Sequence, residues 1–269
     1  MLLPIFERVG DFVRFAQSGH KLTFPTASDI DFYAWLDCRI GDISEAVDGA
    51  SIIERPEERF APRKNSGIYY DTGDLQLLQA DVVLRTTSNP KTHAYCACKF
   101  GEDAAGVRRD HRFVFSGEDK RTIQNAPGGE DAIATVMRLM ARHDIEHPGS
   151  VLMKETGIDP LTLRPVLSLI QLRRTFYVLL DGKDALRCSL DRAEVRLLSD
   201  ASTEKPVEFA EIEVPVYPRI SEEMLRDSRV AALMDFLIAS LSSEFGCSEV
   251  YDSKYRRGMT LLGLFDAPP

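Results

Sequence analysis

Several segments of this chain alternate apolar and charged residues, and this alternation most constrains what the chain can fold into. Val82 and Leu84 fall on one face of a predicted strand and Arg85 on the other, and Cys98 and Lys99 repeat the arrangement on the next strand. A period of two is typical of β-strands. On a sheet with one solvated face, such charges would simply meet water.

The number of such segments favours a closed sheet. The sequence offers about eight or nine strand candidates joined mostly by short turns, which predicts an antiparallel sheet and an α+β fold. Antiparallel strands in this number tend to close on themselves, because closure removes unpaired edges. We therefore expect an eight-stranded antiparallel β tunnel or barrel with flanking helices outside and charges inside. Buried charges of both signs need mutual pairing or an ionic guest.

The remaining periodicity predicts helices at the beginning, middle and end of a single domain spanning 1–269. Residues 2–17 have helical spacing, whereas 29–40 alternate strictly and are predicted to form the first strand. A helical insertion is expected at about 129–170, between two halves of the sheet, and a C-terminal helix at about 221–245.

Net charge, hydropathy and cysteine content limit the expected binding partners and cellular location of the protein. The chain has 42 acidic and 33 basic residues and a net charge of -9, which argues against nucleic acid as the main partner. Its apolar runs are far shorter than the roughly 20 residues that span a bilayer, so no membrane role is expected. The five cysteines show no paired framework, which favours reduced thiols and a cytoplasmic location.

One segment resembles a known family. Residues 68–86, IYYDTGDLQLLQADVVLRT, are similar to the signature of the CYTH domain, the adenylyl cyclase–thiamine triphosphatase group of triphosphate tunnel enzymes. Shorter matches follow in the family's order: Lys99, Arg174 with Tyr177, Leu190 with Asp191, Glu211-Ile212-Glu213 and Ser253-Lys254-Tyr255. The resemblance implies a tunnel of eight antiparallel strands, in agreement with the alternation.

The family's first-strand motif, Glu-x-Glu-x-Lys, is degenerate in this sequence. Aligned on the end of the predicted first strand, its three positions fall on Tyr33, Trp35 and Asp37. A shifted register offers Asp29 and Asp31, with Tyr33 in the lysine position. The motif is therefore incomplete in both registers.

The candidate site residues form a cationic and an anionic set. Arginine supplies a planar fork of donors and lysine a compact charge, and both suit phosphoryl oxygens. Arg109 and Arg112 lie on opposite faces of one predicted strand, so only one of them can point inward. The candidate ligand-binding residues are Arg85, Lys99, Arg112, Arg174, Arg187 and Lys254.

Glu211 and Glu213 share one face of one predicted strand. This spacing suits two carboxylates that reach one hard cation, so we expect them to hold Mg²⁺ or Mn²⁺. Asp37 is the first-strand carboxylate that could replace a lost ligand. Glu211, Glu213 and Lys99 are the candidate catalytic residues.

The expected function is metal-dependent hydrolysis of a triphosphate, either inorganic or carried by a small organic group. Internal attack by a ribose hydroxyl, giving a cyclic nucleotide, is a related outcome that the sequence does not separate from hydrolysis. Two alternatives remain open: a tunnel that binds a phosphorylated ligand without turnover, and changed chemistry in which Tyr33, Trp35 and Asp37 serve another substrate.

Overall fold

A computed structural model describes residues 5–17, 19–25, 31–54, 63–102, 108–198 and 205–265. The strands in these ranges are β1 (Ile5–Val9), β2 (Phe12–Gln17), β3 (Gly19–Thr23), β4 (Ala50–Ile53), β5 (Arg63–Asp71), β6 (Val82–Ser88), β7 (Ala94–Glu102), β8 (Arg108–Val114), β9 (Arg164–Leu180), β10 (Lys183–Leu197), β11 (Val207–Pro215) and β12 (Ser248–Glu249). The helices are α1 (Phe32–Ala46), α2 (Gln76–Gln79), α3 (Gly117–Asn125), α4 (Glu130–Met140), α5 (Pro148–Thr156), a 3₁₀ turn (Pro160–Thr162), α6 (Glu222–Arg226), α7 (Ser228–Phe245) and α8 (Lys254–Leu261).

All the described strands belong to one antiparallel sheet, which confirms the predicted α+β class. The strand order is β1-β2-β8-β7-β6-β5-β9-β10-β11-β3-β12, and β4 pairs with β9 at one side. Among the described residues the sheet thus has twelve strands rather than eight, and its pairing path is open at β1 and β12.

The chain itself connects the two arms of this sheet. β2 pairs with β8 on one arm, and β3 pairs with β11 on the other. β2 ends at Gln17 and β3 begins at Gly19, so the backbone crosses from one arm to the other within two residues. The sheet is consequently curved, and its two arms face a shared cavity.

Helices cover the outer faces of both arms. α1 and α7 pack on β9, β10 and β11 through a core that includes Trp35, Phe176, Ile212 and Leu237. On the other arm, α4 and α5 contribute to the core over β6 and β7 through residues such as Val136 and Leu152. Apolar side chains therefore point outward under helices, as the alternation predicted.

The last described helix closes one end of the cavity. Tyr255 and Met259 of α8 join a buried cluster with Leu167, Val195 and other apolar residues of the strands. Gly258 permits this close approach, because a Cβ there would lie 3.1 Å from a methyl carbon of Val195 and 3.2 Å from one of Leu167. The cavity is blocked by apolar packing at this end.

The amino-terminal helix predicted over 2–17 is wrong. The described part of this segment forms the hairpin β1-β2, in which Phe6 pairs with Phe15 and Val9 with Phe12. Gly10 lies in the turn with a φ of +58°, a conformation that glycine adopts without the steric cost of a Cβ.

The strand predicted over 29–40 is also wrong, since its described part begins helix α1. Phe32, Trp35 and Leu36 are buried at helical spacing, whereas Ile40, which a strand would bury on the same face as Phe32 and Leu36, is 43% exposed. The Asp31 carboxylate caps the helix by accepting a hydrogen bond of 2.9 Å from the Ala34 amide.

None of the described helices combines the length and the apolar character needed to cross a bilayer.

Candidate functional site

A cavity of about 640 Å³ lies between the two arms of the sheet. Strands from both arms and the segment that leads into α8 contribute to its wall. Cations that line it include Arg85, Lys99, Arg112, Arg173, Arg187 and Lys254, and carboxylates that line it include Asp110, Glu211 and Glu213.

One wall, which we call the basic side, consists of Arg85 on β6, Lys99 on β7 and Arg112 on β8. Ala97 of β7 pairs with both Arg85 and Arg112 across the sheet, so its small side chain leaves room for two guanidinium groups. One carboxylate oxygen of Asp110, Oδ2, contacts two of these cations. It accepts a hydrogen bond of 2.9 Å from Arg112 Nε and lies 2.8 Å from Lys99 Nζ.

The basic side is incompletely paired. Arg85 donates from Nη1 to the Tyr69 hydroxyl at 3.2 Å. Among the described residues, the buried Arg85 Nε and the buried second oxygen of Asp110, Oδ1, have no hydrogen-bond partner. Buried polar atoms of this kind are rare in proteins and call for an explanation such as a bound ligand.

Burial and neighbouring charges shift the pKa values of Lys99 and Asp110 on the basic side. Burial lowers the pKa of Lys99, and Arg85 and Arg112 lower it further, to about 8. Burial alone would raise the pKa of Asp110, but Arg112 and Lys99 hold it well below its usual range. Asp110 is therefore a carboxylate that offsets only part of the surrounding positive charge.

The opposite wall holds a carboxylate cluster of Asp191, Glu211 and Glu213. One oxygen of each lies within 4.8 Å of those of the other two. Arg173 donates from Nε to Asp191 at 2.7 Å and from Nη2 to Glu213 at 3.1 Å. Lys254, from the start of α8, donates to Glu211 and lies 2.9 Å from Asp191 and 3.1 Å from Glu213.

These neighbours favour the ionised forms of Asp191 and Glu213. Burial raises the pKa of Glu213, yet Lys254 and Arg173 hold it well below its usual value. Burial also raises the pKa of Asp191. The positive charges of Arg173 and Lys254 outweigh this effect, so the pKa of Asp191 lies below its usual value.

The cluster fits a hard divalent cation. Three carboxylates supply the oxygen ligands that Mg²⁺ and Mn²⁺ prefer. The Oε2 atom of Glu211 is buried without a partner among the described residues, so one ligand atom is available. A divalent ion would nevertheless compete with the Lys254 ammonium, which binds the same three side chains.

Lys21 on β3 is a cavity residue that the sequence analysis missed. It is 5% exposed, pairs with Glu213 across the sheet and donates a hydrogen bond to the Asp252 carbonyl. Counting back by two from Lys21 gives Gly19 and Gln17. This strand beside β11 therefore carries a lysine but not the two carboxylates of the Glu-x-Glu-x-Lys motif.

Arg173 occupies the place predicted for Arg174, and the prediction that Arg174 points inward is wrong. Tyr177 lines the cavity, and its hydroxyl accepts a hydrogen bond of 3.3 Å from Nε of Arg187, another lining residue. Because side chains alternate along a strand, Arg173 shares the face of Tyr177 and Arg174 faces the other way. Consistently, Arg174 is not among the residues that line the cavity.

The predicted first-strand residues lie away from the cavity wherever they are described. Asp37 lies on the exposed side of α1 and does not line the cavity, which corrects its assignment as a metal ligand. Trp35 is buried in the core and donates from its indole nitrogen to Ser240 at 3.0 Å. The Tyr33 side chain and Asp29 lie outside the described part of the structure.

The choice between Arg109 and Arg112 is also resolved. Arg112 shares a strand face with Asp110 and binds it inside the cavity. Arg109 lies on the opposite face of β8, where its Nη1 lies 3.6 Å from Glu155 of α5, and the residue also borders the edge of the cavity.

Comparison with solved structures finds a similar fold at a TM-score of 0.50 and weaker similarities below that value. A proposed adenylate cyclase from Bacillus halodurans superposes with a TM-score of 0.50 at 14% identity, covering 90% of this chain and 97% of that one. A proposed adenylyl cyclase from Hippeastrum, described as having a dominant triphosphatase activity, gives a TM-score of 0.49 at 13% identity, with 91% and 95% covered. An RNA triphosphatase from S. pombe gives 0.31 at 11% identity, with 87% and 85% covered.

No protein-family profile and no curated protein sequence matches the chain. The chain shares the fold of the Bacillus halodurans protein, which is consistent with the CYTH-type tunnel domain that the 68–86 segment resembles. At 14% identity this similarity establishes the fold and leaves the chemistry to be argued from the residues of the cavity.

Proposed function

We propose that the cavity binds a small triphosphate, either inorganic or carried by a small organic group, and that the protein hydrolyses it with the help of Mg²⁺ or Mn²⁺. The observation that carries this proposal is the buried Arg85 Nε, which has no hydrogen-bond partner in the described part of the chain. Arg85 lines a cavity whose opposite wall holds a cluster of three carboxylates.

The basic side would bind the phosphoryl oxygens. Arg85 and Arg112 present planar donors, and Lys99 adds a compact charge that can follow the phosphate chain. Arg187 on β10 adds a further planar donor from outside the basic side. Because these groups are fixed before the ligand arrives, they would stabilise negative charge that develops during phosphoryl transfer without reorganising.

The carboxylate cluster would hold the divalent cation through Asp191, Glu211 and Glu213. Such an ion neutralises the phosphate chain and polarises the phosphoryl group that is transferred. Arg173 would keep Asp191 and Glu213 in place, since it binds both. Lys254 would exchange its carboxylate partners for a phosphoryl oxygen when the ion binds.

A second candidate function is binding without turnover, and Lys254 is the specific observation that favours it. Its ammonium already lies among the three carboxylates and is only 8% exposed. β3, moreover, contributes Lys21 where the family motif has metal-binding carboxylates upstream of its lysine. In this alternative the protein would bind a polyphosphate with its arginines and leave it intact.

Phosphate release from tripolyphosphate, measured with and without Mn²⁺ or Mg²⁺, distinguishes the two functions. We expect metal-dependent release by the parent protein and its loss in Glu213→Gln. Glu208→Gln is the matched control, because Glu208 lies on the same strand with an exposed side chain. Absence of release with either metal, in a protein that still binds tripolyphosphate, would exclude hydrolysis of this substrate and support binding alone.

A further inference from the structure

Tyr95 is a cavity residue to which the proposed function gives no role. It lies on β7, on the same face as Lys99, and lines the cavity. Its ring stacks against the His93 imidazole with a centroid distance of 5.4 Å. The guanidinium carbon of Arg112 lies 5.1 Å from the same ring centroid, so the Tyr95 ring contacts both side chains.

The charged groups around the Tyr95 phenol are mostly cationic. Arg85 on β6, Lys99 on the same strand as Tyr95, and Arg112 and Asp110 on β8 line the cavity with Tyr95 and act electrostatically on its phenol. Arg173 of β9 acts on it from across the cavity. Among these cations the Tyr95 hydroxyl can donate a hydrogen bond to a bound anion, and it can also lose its proton and become a phenolate.

We propose that Tyr95 is a ligand-binding residue and the proton switch of the cavity. As a phenol it donates a hydrogen bond to a bound phosphoryl oxygen. As a phenolate, having released its proton to solvent, it takes the place of the ligand as counter-charge to Arg85, Lys99 and Arg112. This proposal rests on the proposed function in one respect, that the ligand is a phosphate-bearing anion.

The electrostatics agree with this role. Burial would raise the pKa of Tyr95, but Arg112, Arg85 and Lys99 reverse the effect and lower it to about 8. A polyphosphate among the same cations would remove that stabilisation of the phenolate and return the pKa toward its ordinary value. Ligand binding above pH 8 should therefore be accompanied by proton uptake, and affinity should fall as the pH rises through this value.

The first experiment needs no ligand. Ultraviolet absorbance of tyrosinate is recorded while the free protein is titrated, and the parent protein should show an early step centred near pH 8. Tyr95→Phe should lack this step. Tyr251→Phe, which removes a tyrosine that is 66% exposed at the edge of the cavity, should retain it. An early step that persists in Tyr95→Phe would overturn the proposal.

The second experiment measures tripolyphosphate affinity by calorimetry between about pH 7 and pH 9. Lys99 loses its charge in the same range, so the comparison is made in Lys99→Arg, which keeps a positive charge throughout. We expect affinity in this variant to fall by up to about tenfold per pH unit above 8, with proton uptake, since one proton is linked to binding. The double variant Lys99→Arg/Tyr95→Phe should lose this dependence.

Each outcome has a separate meaning. Equal pH dependence in the single and double variants would overturn the role of Tyr95 and leave the proposed function standing. Failure of the parent protein to bind tripolyphosphate near neutral pH would contradict the proposed function, and with it the ligand-binding role of Tyr95.

Discussion

The Lys254 ammonium lies 2.9 Å from the Asp191 carboxylate, so the first residue of α8 reaches across to β10 at the bottom of the cavity. The same ammonium also binds Glu211 and Glu213. Together with Arg173, it offsets two of the three negative charges in the cluster. The packing of α8 and the charge balance of the cavity are therefore coupled.

Replacing Lys254 with methionine tests this coupling. The change leaves the fully buried Glu211 without its ammonium partner, while Arg173 still binds Asp191 and Glu213. Removing one member of a buried ion pair costs about 3–5 kcal/mol of unfolding free energy. In metal-free buffer we expect a loss of stability in this range, measured by urea denaturation. Mn²⁺ should raise the melting temperature of Lys254→Met more than that of the parent protein, because the ion no longer competes with an ammonium.

Lys154→Met is the control for that experiment, since Lys154 is exposed on α5. It should match the parent protein in both stability and metal response. An equal Mn²⁺ response in Lys254→Met and the parent protein would show that the cluster and the ammonium do not share a cation site.

Arg173 and Arg174 provide a paired test of which side chain points inward. Arg173→Ala removes the bidentate partner of Asp191, which is fully buried, so we expect a loss of about 3–5 kcal/mol of unfolding free energy. Arg174→Ala, on the opposite face, should cost no more than about 1 kcal/mol. Urea denaturation of the two variants measures this difference. Equal losses of unfolding free energy in the two variants would contradict the assignment of Arg173 to the inward face of β9.

Much of the cavity could be predicted from the sequence because its strands alternate cleanly. The apolar neighbours of Arg85 and Lys99 fix the face of each charge, and Glu211 and Glu213 are two residues apart on one strand. Arg173 and Arg174 are adjacent in the chain, so the alternation alone does not decide between them. The structure decides between them because it shows that Tyr177, which shares a strand face with Arg173, lines the cavity.

The beginning of the chain could not be predicted in the same way. Residues 32–40 satisfy a period of two and a helical period at once, and only contact with α7, through residues such as Leu237, selects the helix. β3 has five residues and a single inward charge, Lys21. So short an element carries too little alternation to identify, and its place beside β11 depends on tertiary contacts.

We expect the ionised Asp110 carboxylate to make the free energy of unfolding decrease as the pH falls into the acid range. Its pKa is held below the ordinary value by Arg112 and Lys99, so its ionised form stabilises the folded state above about pH 4 and this contribution is lost as the pH falls further. The gap in unfolding free energy between the parent protein and Asp110→Asn should shrink as the pH falls below about 5. Denaturation curves at several pH values measure the gap, and one that stays constant through the acid range would contradict the ion pairing.

The most direct test of the account is the affinity of the metal-free protein for tripolyphosphate, measured by calorimetry near pH 7. We predict one binding site, weakened by about 1.5–3 kcal/mol in Arg85→Ala and in Arg187→Ala, because each removes a charged hydrogen bond to the ligand. Arg174→Ala, whose side chain lies on the opposite face of β9 from Arg173 and does not line the cavity, should bind as the parent protein does. Equal affinity in all four proteins, or no binding by the parent protein, would contradict the claim that the inward-facing arginines form a polyphosphate site.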